Sequence, residues 1–389
     1  MQNEPRILLI DSVLQGGGTD NQVILLARGL QELGVSVLVA CPQNTELFDQ
    51  LKSYGIESVH WGKKISGFYK LWKIIKSRKI SVLHAHHGRD YWPAILSASW
   101  TTPKPKIVLT RHMAKSPGSW LSKHYLLNCC DCMVAVSRFT KKVLVQGDFD
   151  PLCPIKERHK REPIRGDHKK IRVIYGGIDT QRFYPRKVLY LREKLGIEAR
   201  HFLFGMIGSY DFPLGKGQLD FLEAADCSRN FLPHGRFLII GRGNMQQLLE
   251  EKIKRLSLEG RVFLVPHTSE IENWINALDC LVHPAIATEA FGLVILEAFA
   301  CGKPVITTTI DGIPEAFQAC QVGKLIPPWS TPDLCQALAD IAATGPLPEE
   351  KKWECHKKIE LTFSYKVMAK NMLNLYNQLL IETTERRRT

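Results

Sequence analysis

Glu289 and Glu297, with seven residues between them, mark the stretch of this sequence best equipped for chemistry. From Glu289 the chain reads EAFGLVILEAFACGKPVITT, which places Glu297 inside an apolar helical run between Leu296 and Ala298. A free carboxylate is costly to bury there. A ligand with paired hydroxyls, such as a ribose, would satisfy it by donating to both oxygens. Glu289 precedes the helix beside the backbone donors of Ala290, Phe291 and Gly292, a good position for sugar hydroxyls. On periodicity alone, both glutamates fit equally well on the solvent face of an ordinary helix.

A second group is Gly16, Gly17 and Gly18, between a strand at Arg6–Asp11 and a helix at Thr19–Leu33. Consecutive glycines bring backbone close to a ligand, and the helix start adds positive potential, which suits a phosphate or diphosphate. A purely structural turn is the competing reading. A dinucleotide turn is opposed by Asn21, where a third small residue would stand, and by Val39-Ala40-Cys41-Pro42, which offers a ribose no acid. The eleven cysteines lack a disulfide rhythm, and Cys129-x-x-Cys132 has no second pair for zinc, so they read as reduced thiols. The pair Asp148-Phe149-Asp150 follows a helix and enters a basic loop, which makes it incidental.

The elements that must position these residues alternate short apolar strands with amphipathic helices, the pattern of doubly wound α/β units. Further strands are expected at Val35–Cys41, Val82–Ala85, Ile107–Thr110 and Met133–Val136. The alternation restarts with strand Phe202–Ile207, helix Gln218–Ser228, strand Phe237–Ile240 and helix Met245–Ser257. Strands Val262–Val265, Cys280–His283 and Val305–Thr308 follow. A last helix, Ser364–Leu380, puts Met368, Met372, Leu375, Tyr376 and Leu379 on one stripe. We therefore expect an N-terminal Rossmann-like acceptor-side domain over 1–170, with a basic loop at about 151–172 rich in lysine, arginine and proline. A nucleotide-binding Rossmann-like domain over 171–363 and a crossing helix with a basic tail over 364–389 complete it, the two domains facing across a cleft.

The two-glutamate segment resembles the motif of retaining GT-B glycosyltransferases of family 4, which includes bacterial lipopolysaccharide and glycolipid transferases. The likeness extends to the Gly16–Gly18 loop, Val136-Ser137-Arg138, Tyr175-Gly-Gly-Ile178-Asp179, Gly215-Lys216-Gly217, Gly241-Arg242-Gly243 and the last helix. It implies that Glu297 binds the nucleotide ribose and that Glu289, with the amides near Phe291 and Gly292, holds the donor sugar. Lys216 would hold phosphate, and His112 would match the cleft histidine near the reacting centre. Fixed cations and amides suit the charge that grows on a departing diphosphate. His112, Glu289 and Lys216 are thus the candidate catalytic residues. Gly16, Gly17, Gly18, Ser209, Lys216, Arg242, Phe291, Gly292 and Glu297 are the candidate donor-binding residues. No metal or other cofactor is expected. Ser209 stands where the family often has arginine, and Gly176 where it has asparagine.

The net charge of +13 calls for acidic partners. Without a nucleic-acid-binding motif, specific nucleic acid is not expected. In Lys63–Lys79, Phe68, Leu71, Trp72 and Ile75 form one stripe with Lys70, Lys73 and Lys76 off it. Such a helix either rests on anionic lipid or covers the sheet. No apolar run approaches the ~18 residues needed to cross a bilayer, and the start, MQNEPRILLID, does not read as a secretory signal. The expectation is a cytoplasmic enzyme, peripheral at the inner face of the membrane. Its donor would be a nucleotide-sugar, a UDP-sugar ahead of GDP-mannose on family frequency, and its acceptor a glycan or lipid-linked molecule such as lipopolysaccharide core. The alternatives are a nucleotide-sugar epimerase of the same fold and a nucleotide-sugar-binding protein impaired in catalysis.

Overall fold

The computed structural model describes residues 5–12, 18–43, 45–61, 65–147, 159–211 and 215–386. The chain divides into two units: Met1–Gly177 with Phe363–Thr389, and Ile178–Thr362. In the first unit β1 (Arg6–Ile10), β2 (Ser36–Cys41), β3 (Glu57–His60), β4 (Val82–Ala85), β5 (Lys106–Arg111), β6 (Cys132–Ala135) and β7 (Ile171–Val173) form a sheet ordered β3-β2-β1-β4-β5-β6-β7. All its pairings are parallel, so each strand needs a crossover before the next. These run through α1 (Gly18–Glu32), α2 (Glu46–Ser53), α3 (Ile65–Ser77), α4 (Tyr91–Ser99), α5 (Trp120–Cys129) and α6 (Arg138–Gln146).

Helices on both faces explain why RILLI and CMVA read as near-continuous apolar runs. Successive side chains of β1 enter different cores: Ile7 and Leu9 pack with Val23 and Leu30 of α1, Leu8 and Ile10 with Leu71 and Ile95 of α3 and α4.

The second unit carries β8 (Phe202–Ile207), β9 (Gly235–Gly241), β10 (Val262–Pro266), β11 (Cys280–His283), β12 (Val305–Thr308) and β13 (Gly323–Ile326), ordered β10-β9-β8-β11-β12-β13. Its helices are α7 (Tyr190–Lys194), α8 (Gln218–Cys227), α9 (Gln246–Arg255), α10 (Ile271–Ala277), α11 (Leu293–Ala300), α12 (Ile313–Phe317) and α13 (Thr331–Thr344). The chain leaves this unit along α14 (Glu349–Phe363). It then enters α15 (Tyr365–Arg386), which packs on α1 and buries Met368, Met372, Leu375, Tyr376 and Leu379.

Two glycines show how closely α15 is seated. A Cβ at Gly29 of α1 would stand 2.5 Å from Ala369 Cβ, and one at Gly177 would stand 2.6 Å from Tyr365 Cα. Gln22 of α1 also clamps Gly177, its amide donating to the glycine carbonyl and accepting from its N–H, both at 2.8 Å. The glycine following Gly176 is therefore required by close backbone approach.

The structure departs from the sequence reading at the basic loop. Residues 148–158, including Asp148-Phe149-Asp150, lie outside the described residues. The remainder is not a free loop: Ile164 and Ile171 are buried, and Lys170 Nζ donates to the carbonyls of Leu127 and Cys130 at 2.8 and 2.9 Å. Ile171–Val173 pairs with β6, so the first unit continues through Gly177 instead of ending at 170. Strands β3 and β13 were also not anticipated. Both are short, largely exposed edge strands, ESVH and GKLI.

In each sheet the strand order reverses direction at one place, between β1 and β4 and between β8 and β11. The carboxyl ends of strands at such a switch point form the ligand crevice of open α/β sheets. The loops that leave them carry most of the candidate residues.

Candidate active site

In the second unit, the loop after β8 and the loop after β11 meet at Gly217. This residue holds φ 92°, and a Cβ would stand 2.0 Å from the Pro284 carbonyl oxygen. Only glycine combines that backbone conformation with that approach. The buried amide of Gln218, at the start of α8, fixes the preceding residues. Its oxygen accepts from Lys216 N–H at 2.7 Å and its nitrogen donates to Ser209 O at 3.1 Å. Lys216 Nζ is thereby delivered 2.7 Å from Glu289 Oε2.

Glu289 is held from its backbone as well, its N–H donating to Asp311 Oδ2 and its carbonyl accepting from Gly312 N–H, both at 3.1 Å. His283, at the end of β11, brings Nε2 to 3.6 Å from Glu289 Oε2, beyond hydrogen-bond reach. Burial pushes the Glu289 carboxyl up, but the Lys216 ammonium and then His283 outweigh it and hold the group well below the usual carboxylate range. The result is an ion pair at the switch point, a fixed cation held against a carboxylate.

Phe291 is buried, and Gly292, with φ 92°, caps α11. Glu297 lies one turn into that helix and remains partly exposed. Burial raises its carboxyl to about 7; Arg182 opposes the rise and Glu272 adds to it. Arg182 is engaged with Glu272 at 2.7 Å, so its charge is shared. Arg242 follows β9 on the surface, its carbonyl accepting from Tyr210 N–H at 3.2 Å, next to Ser209. Ser209, Lys216, Arg242 and Glu289 thus gather around the carboxyl ends of β8, β9 and β11.

In the first unit Gly16 and Gly17 lie outside the described residues, and Gly18 is the first residue of α1. Ser12 N–H, ahead of that loop, donates to Asp90 Oδ2 at 2.9 Å. His112 follows β5, its Nε2 3.2 Å from His86 Nδ1 with the rings stacked. His86 in turn packs on His84, ring centroids 4.0 Å apart. His84 is bonded on both sides, to Tyr376 Oη of α15 and to Thr110 Oγ1, each at 2.6 Å. Burial lowers His112 to about 3, reinforced by Arg111 and His87. Burial likewise lowers His84 to about 3, with His112 adding to it. His86 is held well below the usual histidine range by burial and by both neighbouring imidazoles. His112 is therefore neutral near pH 7, suited to hydrogen-bonding a hydroxyl and not to balancing a phosphate charge.

Gln218, Asp311, His283, Asp90, His84 and His86 were not singled out from sequence. The run His84-Ala-His86-His87 at a strand end offered a signal, since it closes a neighbouring strand to the one His112 follows. The others act through contacts that spacing does not reveal.

Residues 201–344 match the family model for glycosyl transferases group 1, and residues 16–156 match that for glycosyltransferase family 4. The chain belongs to this glycosyltransferase family. Among relatives of the family-4 member described here is the lipopolysaccharide core biosynthesis mannosyltransferase LpsB of Rhizobium meliloti, 27% identical over 251 residues, which cover 63% of this chain and 64% of that protein. A D-inositol 3-phosphate glycosyltransferase of Mycobacteroides abscessus is 30% identical over 206 residues, 51% of this chain and 43% of that protein. The chain thus spans less than two thirds of the length of either relative. In fold it is similar to Alr3699/HepE of Anabaena, solved in complex with UDP and glucose, with a TM-score of 0.76, 19% identity and coverage of 96% of this chain and 100% of that one.

Proposed function

We propose that this family-4 member transfers a sugar from a nucleotide-sugar, a UDP-sugar ahead of GDP-mannose, to a glycan or lipid-linked acceptor such as lipopolysaccharide core, with retention of anomeric configuration. The observation that carries this reading is the Lys216–Glu289 pair at the switch point of the second sheet, with Glu297 on the helix that follows. Lys216 and Arg242 would stabilise the diphosphate as its charge grows, with the amides around Gly292. Glu289 would hold sugar hydroxyls and Glu297 the ribose diol. His112, neutral, would hydrogen-bond the donor sugar, while Gly16–Gly18 would approach the phosphates or acceptor. With these cations in place, transfer proceeds without a metal, the acceptor attacking the face from which the diphosphate leaves.

The mannosyltransferase name of LpsB and the UDP and glucose of the Anabaena complex support the donor and acceptor classes. The net charge of +13 and exposed Lys70, Lys73 and Lys76 support attachment to the inner face of the cytoplasmic membrane. Among the described residues, no helix is long and apolar enough to cross a membrane.

The test is incubation with UDP-glucose, UDP-galactose and GDP-mannose in EDTA, with and without a lipopolysaccharide-core acceptor, followed by NMR of the anomeric proton. A product that keeps the donor configuration, lost in Glu289→Gln, supports the reading. An isomerised free nucleotide-sugar would make the protein an epimerase. Binding with neither transfer nor slow donor hydrolysis would make it a binding protein.

A further inference from the structure

We propose that the face formed by α3, α4 and α5 of the first unit docks on an anionic lipid bilayer, with Tyr69, Leu96 and Trp100 seated at headgroup level. This extends the membrane part of the proposed function and is independent of the donor and the reaction. The apolar stripe of α3 faces inward, with Leu71 and Ile75 buried in the sheet core, whereas Tyr69, which lies off that stripe, is 60% exposed. Along α4 and its C-cap, Trp92, Leu96 and Trp100 recur at every fourth residue, and exposure rises along the stripe until Trp100 is 74% exposed.

Trp100 is fixed in this outward position. Phe68 meets its ring edge-on at 6.0 Å, and Trp72 Nε1 donates to its carbonyl at 3.0 Å. Trp92 Nε1 donates to Ser122 Oγ at 2.9 Å, which ties α4 to α5 beside Trp120 and Leu121. Those two residues and Tyr125 are also exposed, Trp120 by 64%. Clustered exposed aromatics of this size mark an interaction surface.

Charge selects the partner. From Ile65 to Cys130 the sequence has eleven lysines and arginines and one acidic residue, Asp90, which is buried. Arg78, Lys106 and Lys123 are paired with Glu57, Asp131 and Glu162 from flanking segments. Lys70, Lys73, Lys76 and Lys104 are exposed around the aromatic residues. Protein interfaces are depleted of lysine, whereas bilayer interfaces favour Trp and Tyr flanked by lysines whose stems lie along the acyl boundary. The combination matches anionic lipid better than a second protein surface.

The full-length protein is sedimented with vesicles of phosphatidylcholine alone, or of equal parts phosphatidylcholine and phosphatidylglycerol. The wild type should bind the anionic vesicles and not the neutral ones. Trp100→Ser should reduce that binding by about tenfold, and Lys70→Ser with Lys73→Ser by roughly fivefold per lysine. Because these side chains are exposed, melting temperatures should be unchanged. Equal binding to neutral vesicles, or full binding by all these variants, would overturn the proposal. So would a Trp100-dependent dimer in analytical ultracentrifugation without vesicle binding, which would make this face a contact between copies of the chain. UDP-induced stabilisation, followed in parallel, reports on the donor site: its absence would remove the donor reading and leave the vesicle result standing.

Discussion

Glu297 is poised between charge states. With its carboxyl at about 7, both the protonated and ionised forms are present at neutral pH. The ionised form presents both oxygens as charged acceptors to the two hydroxyls of a ribose, whereas protonation turns one of them into a donor. UDP affinity should therefore rise between about pH 6 and pH 8, by up to about tenfold per pH unit below the midpoint. Titration calorimetry of Glu297→Gln should show weaker binding with a flat pH profile; the wild-type profile persisting in the variant would assign the titration to another group. Lys216 makes a different contribution, a fixed cation 2.7 Å from Glu289. Lys216→Ala should reduce turnover by about a hundredfold or more, as loss of an electrostatic stabiliser does. Unchanged turnover under saturating donor would place Lys216 outside the reaction.

At the scale of elements, the helix pair α1 and α15 is built on close backbone approach, and it sets the position of the chain at Gly177. Gly177→Ala would force a methyl group against Tyr365 Cα, and should destabilise the protein by about 1–3 kcal/mol in urea unfolding. An unchanged midpoint would mean the backbone there yields freely. The central strands of both sheets and the α15 stripe were legible because continuous apolar runs and helical periodicity report burial directly. Edge strands β3, β7 and β13 were not, since three- or four-residue, partly exposed segments are too short to show that signal. At the candidate site, Lys216 and Glu289, which the structure brings together, were legible as candidates through motif and spacing, as was Glu297. Their supports were not. Gln218 acts through a loop, and His84 meets Tyr376 across 292 residues of chain. Periodicity shows that a face is buried but not what meets it.

Over the whole molecule, the three imidazoles of the first unit contribute to its response to acid. His84, His86 and His112 resist protonation when folded, whereas unfolded imidazoles take protons below about pH 6.5. The unfolded chain therefore binds more protons between that pH and about 3, so their contribution to stability is complete above about 6.5 and lost as pH falls. Thermal melts should move to lower temperature between about pH 7 and pH 5, and His84→Gln should reduce the slope; a flat wild-type profile would contradict buried neutral imidazoles. The central claim, that the switch point of the second sheet is a nucleotide-sugar site, is tested most directly by thermal stabilisation with UDP, GDP, ADP and their sugar conjugates, using wild type and Glu297→Ala in parallel. Selective stabilisation by one nucleotide and its sugar conjugate, lost in the variant, is the predicted result. A wild type that none of them stabilises, or a variant stabilised as strongly as the wild type, would contradict it.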